Sequence, residues 1–450
     1  MSEPTFYPRY VERRLAEALE DSPVVLIHGP RQCGKTTLAL YTCAPRYIEW
    51  PGVGDLNWPG IGRISWGVSR EYRDYTYISF DDTAVRDGAR ADPVGFVADL
   101  PERVILDEVQ FVPELFPAIK IEVDRRRAPG RFILTGSTNV LLLPALSESL
   151  AGRLQIVRLH PLSQSELVSR SALSDPGAGE GFLTALLRDG FKVGNTERLG
   201  TRLAELVVAG GFPPALARPT PRRQGNWYRD YIETLVQRDV RDMTRIRSLD
   251  ALPQLLRAAA SQTARLYNLA DLAAPFQLSR PTIGEYIALL ERLFLLEKLP
   301  PWHSNRLSRL VKTPKLHLAD TGVAAALLGV GPEHLAADRP LLGQLLETFV
   351  FQELRRQGSW HEAATEFFHF RDRDGVEVDI VLERGTRAVA GVEIKAAATV
   401  RQHDFRGLRK LALAAGDRFR HGVVLYDGET TVSFGDRLYA VPIRRLWEIR

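Results

Sequence analysis

Apolar and polar residues repeat along the chain with a helical period in some stretches and a strand period in others, and the switches outline the elements. Residues from Val11 to about Glu20 carry a helical stripe, and Val24–Ile27 then reads as a strand buried on both faces. Strand signals return in YTYISFDD (75–82), RVILDEVQ (103–110), RFILTGSTN (131–139) and residues 154–159, with helical patterns between them. Such alternation predicts βαβ units and a parallel sheet. From about Gln164 to Leu249 the pattern is helical, broken at 174–182 and 209–223, which read as hinges of a helical lid. Residues 226–246 mix aromatics with alternating charge, the mark of a solvated helix face. Near the other end, Val376–Glu383 and Arg387–Lys395 are strand runs around the turn RGT and predict a hairpin. Residues 44–74, rich in Gly, Pro and Trp, are long for a connection inside a domain; a local hairpin and a functional insertion both remain open.

Composition narrows the class. A chain of 450 residues with 45% hydrophobic and 25% charged content is long enough for about three soluble domains. The net charge of +4 means that any nucleic-acid surface must come from local clustering. Two cysteines, Cys33 and Cys43, cannot form a disulfide framework or a four-ligand zinc site. The N-terminus is polar, and no run reaches the ~18 apolar residues of a membrane span, so the expectation is a cytoplasmic protein without a membrane partner. Eight of the 59 basic residues are lysine, so a lysine inside a motif points to the chemistry of a compact ammonium.

The most specific motif follows the first strand. Gly29, Pro30, Arg31, Gln32, Cys33, Gly34, Lys35 and Thr36, with Thr37 behind them, match GxxxxGK(S/T) in the required order of strand, loop and helix. Successive backbone N–H groups of such a loop wrap phosphate oxygens; Lys35 would reach the β- and γ-phosphates and Thr36 would hold Mg2+. The strand at 103–110 delivers Asp107 and Glu108 to its carboxyl end, where ligands bind in an open parallel sheet. Asp107 suits the Mg2+ ion and Glu108 the attacking water, the division that phosphoryl transfer to water requires. Ser137 and Asn139, ending the next strand, are placed to sense a γ-phosphate, and Arg153 precedes the fifth strand.

The order of phosphate loop, DE strand, TGS strand and SLAGR resembles the AAA+-type ATPases of bacteria and archaea, and within them the ATP-binding proteins that carry a C-terminal DUF4143 domain. The resemblance covers most of the chain, with 44–74 the least typical part. It implies ATP with Mg2+, a 5-1-4-3-2 parallel sheet, Ser137 or Asn139 as sensor, and Arg153 as an arginine finger acting across a subunit boundary. A finger in trans implies a homo-oligomer, with a hexamer as the family type. A salt bridge closing the fifth strand is the other reading of Arg153.

Asn268 can cap a short helix, and Ser279 caps a second one with Pro281 in its first turn and Ile283, Ile287, Leu290 and Phe294 on one face. This is the helix-turn-helix plan, whose second helix would offer Arg280 and Thr282 to DNA. The run NRLSRLVKTPK supplies Arg306, Arg309, Lys312 and Lys315 as a wing against phosphates.

A hairpin symmetric about Thr386 sets Asp379 opposite Glu393, and Lys395 shares their face because side chains alternate with period two. An oxygen-rich pocket of this kind suits Mg2+ or Mn2+, and the lysine would position or help ionise a water. An acid followed by ExK on adjacent strands resembles the PD-(D/E)XK restriction-endonuclease-like fold, with Val378 where the motif has proline. That family plan also wants an acid on the preceding helix, which Glu347 supplies within 343–357. The metal set would then be Glu347, Asp379 and Glu393. The alternative is a hairpin of ordinary solvated acids with Glu377 opposite Lys395.

The expected architecture is α/β: an AAA+ core (1–163), a helical lid (164–250), a winged helix (251–330) and a nuclease-like domain (331–450). The expected activity is ATP hydrolysis coupled to binding or remodelling of DNA, branched DNA among the candidates by analogy with junction resolvases, with metal-dependent cleavage as a further possibility. A nucleotide-gated switch that only binds DNA or protein partners is the alternative.

Overall fold

The structure, a computed structural model, describes residues 7–43, 75–136, 144–168, 181–243, 251–273, 276, 279–305, 313–361 and 363–448. The 44–74 stretch, Ser137, Asn139, Arg306, Arg309 and Lys312 lie outside the described residues. The chain divides into two units, one built mainly from residues 9–160 and the other mainly from Pro161 onward.

In the first unit β1 (Val24–His28), β2 (Thr76–Ser79), β3 (Val104–Asp107), β4 (Phe132–Gly136) and β5 (Leu154–Arg158) form a parallel sheet in the order 2-3-4-1-5. Read from the other edge, this is the expected order. β1 pairs with β4 on one side and β5 on the other, Val24 lying beside both Phe132 and Leu154. The strands β1, β3 and β4 are buried throughout, which is why they read as unbroken apolar runs, whereas the edge strands β2 and β5 are partly exposed. Phe116, Ile119 and Val123 of the helix Leu115–Arg125 close one face over Val24, Leu106 and Phe132. His28, Asp107 and Gly136 end their strands at the carboxyl rim of the sheet, where a crevice for ligands forms.

The second unit contains two sheets. The strands β6 (Gly194–Asn195), β7 (Arg265–Leu266), β8 (Leu296–Leu299), β9 (Lys315–Leu318), β10 (Glu366–Arg371), β11 (Glu377–Arg384), β12 (Ala388–Lys395), β13 (Phe419–Tyr426), β14 (Thr430–Ser433) and β15 (Leu438–Pro442) are distributed between them. The larger sheet runs 10-11-12-13-15-14-6 and the smaller 7-9-8. In the larger sheet β10 to β12 are antiparallel, and β12, β13 and β15 are parallel neighbours. The smaller sheet is antiparallel and lies in sequence among the helices Ala251–Ser261, Leu269–Ala273 and Arg280–Arg292. The expected caps form there: Asn268 accepts from Ala270 N (2.9 Å) and Ser279 from Thr282 N (3.3 Å). Ile283, Ile287 and Leu290 are buried, while Phe294 lies beyond the helix end with a left-handed φ of 57°.

The helical segment expected as an ATPase lid is built into the second unit. Leu203, Val207, Tyr228 and Leu235 share one hydrophobic core with Leu255, Ile287, Leu316, Phe349, Ile380 and Leu446. Thr430 of β14 pairs with Asn195, so this segment also extends the larger sheet. The buried Arg356 donates to Leu162 O (2.7 Å), Glu353 (2.9 Å) and Asp320 (2.9 Å), pinning the start of the segment to the helix Arg339–Trp360. The expected boundaries at 250/251 and 330/331 therefore fall inside a single core. An amphipathic stripe shows that a face is buried without saying against what, and here the partner comes from the far end of the sequence. Among the described residues no helix is long and apolar enough to cross a membrane.

Candidate functional site

The loop after β1 is shaped by two left-handed residues, Gln32 (φ 60°) and Gly34 (φ 99°), which turn its backbone into a concavity of the kind that receives phosphate. Gly29 is required by close approach: a Cβ there would lie 2.0 Å from Leu159 O. Arg9, which sequence reasoning missed, donates to Cys33 O (2.8 Å) and His160 O (2.6 Å) and so braces the loop against the end of β5. Lys35 opens the helix Lys35–Cys43, is 5% exposed, and donates to Pro30 O within the loop (2.9 Å). Burial pushes the Cys33 thiol up, which keeps it protonated and unreactive.

Asp107 is the hub of the site. The Thr36 hydroxyl donates to its carboxylate at 3.0 Å, joining the loop to β3. Two further hydroxyls donate to the same group: Tyr77 Oη from β2 (2.8 Å) and Thr135 Oγ1 from β4. Neither was anticipated, although Thr135 stands in the same TGS segment as Ser137. Burial, then the bond to Asp107, raises the Tyr77 phenol pKa, so it remains a donor. Glu108 follows in a left-handed conformation (φ 57°, ψ 46°), uncommon for a residue with a side chain and of the kind that collects at functional sites. Its amide donates to Thr135 Oγ1 (3.2 Å), and Gln110 donates to its carboxylate. The hydroxyl of Thr36 and the carboxylate of Asp107 are hard oxygen donors at the mouth of a phosphate loop, and this set fits Mg2+.

Arg153 is held by Asp124 of the helix Leu115–Arg125 through two bonds, Nε at 2.6 Å and Nη2 at 2.8 Å. This is the ion pair at the start of the fifth strand; a role as a finger requires that pair to open.

At the C-terminal hairpin the register is symmetric about Thr386, as expected: Ile380 pairs with Val392 and Glu383 with Val389, and the paired residues end at Ile380–Val392, one short of Asp379 and Glu393. Asp379 accepts from Ile394 N (2.9 Å), and Glu393 pairs with Lys395 (3.1 Å). Burial, then the neighbouring Asp379 carboxylate, pushes Glu393 up to about 8. Glu347 arrives from the helix Arg339–Trp360, as the acid before the hairpin was expected to. The four residues thus share one face of the domain, but a fifth joins them. Lys315 Nζ lies 2.7 Å from Glu347 and 3.4 Å from Asp379. Burial opposes its charge, yet the Glu347 and Asp379 carboxylates outweigh burial and raise its pKa.

Lys315 was expected on a wing facing phosphates; it is 3% exposed and serves the acidic face instead. The sequence does not show this, because β9 directly follows a basic run. The metal expectation fails the same test: an ammonium stands between Glu347 and Asp379, and among the described residues no three His, Cys, Asp or Glu side chains are grouped to hold a metal ion. The set Glu347, Asp379 and Glu393 therefore does not fit Mg2+ or Mn2+ in this arrangement. Of the residues expected at DNA, Arg280 is exposed on the first turn of its helix and Thr282 is half-buried, its hydroxyl 2.8 Å from Ser279 Oγ.

Residues 21–168 match the model of a family described as an AAA domain. With the phosphate loop, the acidic strand end and the 2-3-4-1-5 sheet, this makes the first unit an AAA-like ATPase domain. Two relatives are the uncharacterized protein Rv2008c of Mycobacterium tuberculosis and the uncharacterized protein Mb2031c of Mycobacterium bovis. Each is 28% identical over 431 residues, covering 95% of this chain and 82% of the relative. Residues 200–334 and 342–446 match two families described as domains of unknown function, DUF8612 and DUF4143. The Walker-type ATPase PABY2304 of Pyrococcus abyssi aligns in structure with a TM-score of 0.39 and 16% identity, covering 72% of this chain and 97% of its own.

Proposed function

We propose that this protein hydrolyses ATP in a Mg2+-dependent reaction and couples it to binding or remodelling of DNA, branched DNA included, as a homo-oligomer for which a hexamer is the starting expectation. The observation that carries the reading is the Asp107 hub, which joins the phosphate loop through Thr36 and sets Glu108 beside it. Backbone N–H groups of Arg31–Gly34 cradle the phosphates, and Lys35 exchanges Pro30 O for the β- and γ-phosphate oxygens. Thr36 and Asp107 would hold Mg2+, which would neutralise charge developing on the phosphate oxygens. Glu108, fixed by Gln110 and by its own amide on Thr135, orients the attacking water and draws its proton. Ser137 or Asn139 would report the γ-phosphate, and Arg153 would act as a finger only after leaving Asp124.

The DNA part of the proposal is supported by the element order of residues 251–318, three helices with a three-stranded antiparallel sheet, which is the plan of a winged helix. The nuclease-like reading of the C-terminal domain is supported by the hairpin register and the convergence of Glu347, Asp379, Glu393 and Lys395. Fold likeness alone does not bring chemistry with it, and because the acids do not fit a metal, cleavage forms no part of the proposed activity.

The test is ATP turnover with and without linear, forked and four-way DNA, for the wild type, Lys35→Ala and Asp379→Ala. Turnover is expected to rise with DNA in the wild type and to vanish in Lys35→Ala. If no DNA form alters turnover or shifts in a gel, the coupling to DNA is wrong. Turnover that is slow and indifferent to DNA would favour a nucleotide-gated switch acting on protein partners.

A further inference from the structure

The acidic face of the C-terminal domain has the acids of a metal-dependent nuclease and a lysine where the ion would sit. We infer that Lys315 is the resident cation of this face, so that the domain is a metal-free binding scaffold and the AAA-like unit is the only hydrolytic centre among the described residues.

Three observations carry this. The ammonium bridges two carboxylates from different elements, Glu347 of the helix Arg339–Trp360 (2.7 Å) and Asp379 of β11 (3.4 Å). An ion bound to that pair would have to share it with a buried like charge, which low-dielectric surroundings make strongly unfavourable. Second, the lysine cannot readily swing aside. Its backbone lies in the middle strand of the small sheet, paired with Leu266 of β7 on one side and Leu299 of β8 on the other, and the residue is 3% exposed. Third, both oxygens of Asp379 are already in use. The second oxygen of Asp379 accepts from Ile394 N (2.9 Å), and Glu393 is paired with Lys395 (3.1 Å). An ion that polarises a phosphodiester needs free carboxylate oxygens open to the substrate; both of Asp379 are committed within the chain, and Glu393 Oε2, which has no partner, is buried rather than open. The lysine also has a positive task, since it ties β9 of the small sheet to the helix and hairpin of the larger one.

The inference stands apart from the proposed ATPase and DNA activity, and its test uses no nucleotide. Mn2+ is titrated into the full-length chain, and bound ion is counted by its electron paramagnetic resonance signal, in the wild type, Asp379→Asn, Lys315→Met and Lys315→Met/Asp379→Asn. Nicking of supercoiled plasmid is followed in parallel for the wild type and Asp379→Asn. The wild type and Asp379→Asn are expected to bind the same amount of Mn2+, with neither nicking the plasmid. Lys315→Met is expected to gain one ion per chain, and the double variant to lose it. A wild-type ion or nicking activity that disappears in Asp379→Asn overturns the inference, as does a folded Lys315→Met that gains no ion. Should Lys315→Met fail to fold, the comparison of wild type with Asp379→Asn decides alone: equal binding supports the inference and a lost ion ends it.

Discussion

Asp107 accepts from three hydroxyls on three separate elements, so its carboxylate is oriented before any nucleotide arrives. Glu108 is the complementary case, a carboxylate on strained backbone beside the hub. Replacing Glu108 by Gln keeps the shape and removes the base; turnover is expected to fall about 10²–10⁴-fold with ATP binding retained, read by single-turnover kinetics and nucleotide-binding calorimetry. Thr36 and Asp107 were legible because a spaced motif names them, whereas Tyr77 and Arg9 were not: their roles depend on which strand and loop lie adjacent, which only the fold decides. Burial, helped by the Lys315 ammonium, lowers His369 from 6.5 to about 4. The folded state thus holds it neutral while the unfolded chain protonates it, so its stabilising contribution is complete above about pH 6.5 and is lost as pH falls towards 4. The loss is on the order of 3 kcal/mol across that window. His369→Gln, which cannot protonate, is expected to flatten the acid limb of a denaturant-derived stability profile of the second unit; an unchanged limb would assign the loss to other groups.

At the scale of elements, the hairpin was the most legible feature outside the phosphate loop. The symmetric register about Thr386 fixed which acids face each other, and the observed pairs Ile380–Val392 and Glu383–Val389 keep that register. The place of β9 was not legible. Its sequence continues a basic run, and only its pairing between β7 and β8 turns Lys315 inward against Glu347 and Asp379. The outer support of the hairpin is the helix Arg406–Ala415, which approaches so closely that a Cβ on Gly407 would lie 2.0 Å from Glu377 O. Gly407→Ala must push this helix off the start of β11, where Asp379 lies two residues on. The expected cost is roughly 1–3 kcal/mol, seen as a lower denaturation midpoint without change in the ATPase rate of the separate first unit. A variant as stable as the wild type would mean that the helix shifts without disturbing the hairpin.

For the whole molecule, apolar side chains within residues 182–236 join the same core as the C-terminal sheet, inside one of two compact units. That merging changes what coupling must mean. The proposed nucleotide site lies in one unit and the proposed DNA-binding elements in the other, so communication is a free energy linking two sites and must be reciprocal. Glu108→Gln allows it to be measured at equilibrium, because ATP stays bound without turning over. If ATP tightens forked DNA by some factor, forked DNA must tighten ATP by the same factor, and coupling of about 1–3 kcal/mol, or roughly 5–150-fold, is the expected size. Fluorescence anisotropy of labelled DNA with and without ATP, set against calorimetry of ATP with and without DNA, checks both arms. Two factors that agree and exceed unity support a machine in which hydrolysis resets DNA affinity. A factor of one in both arms would leave an ATPase and a scaffold that share a chain without sharing energy.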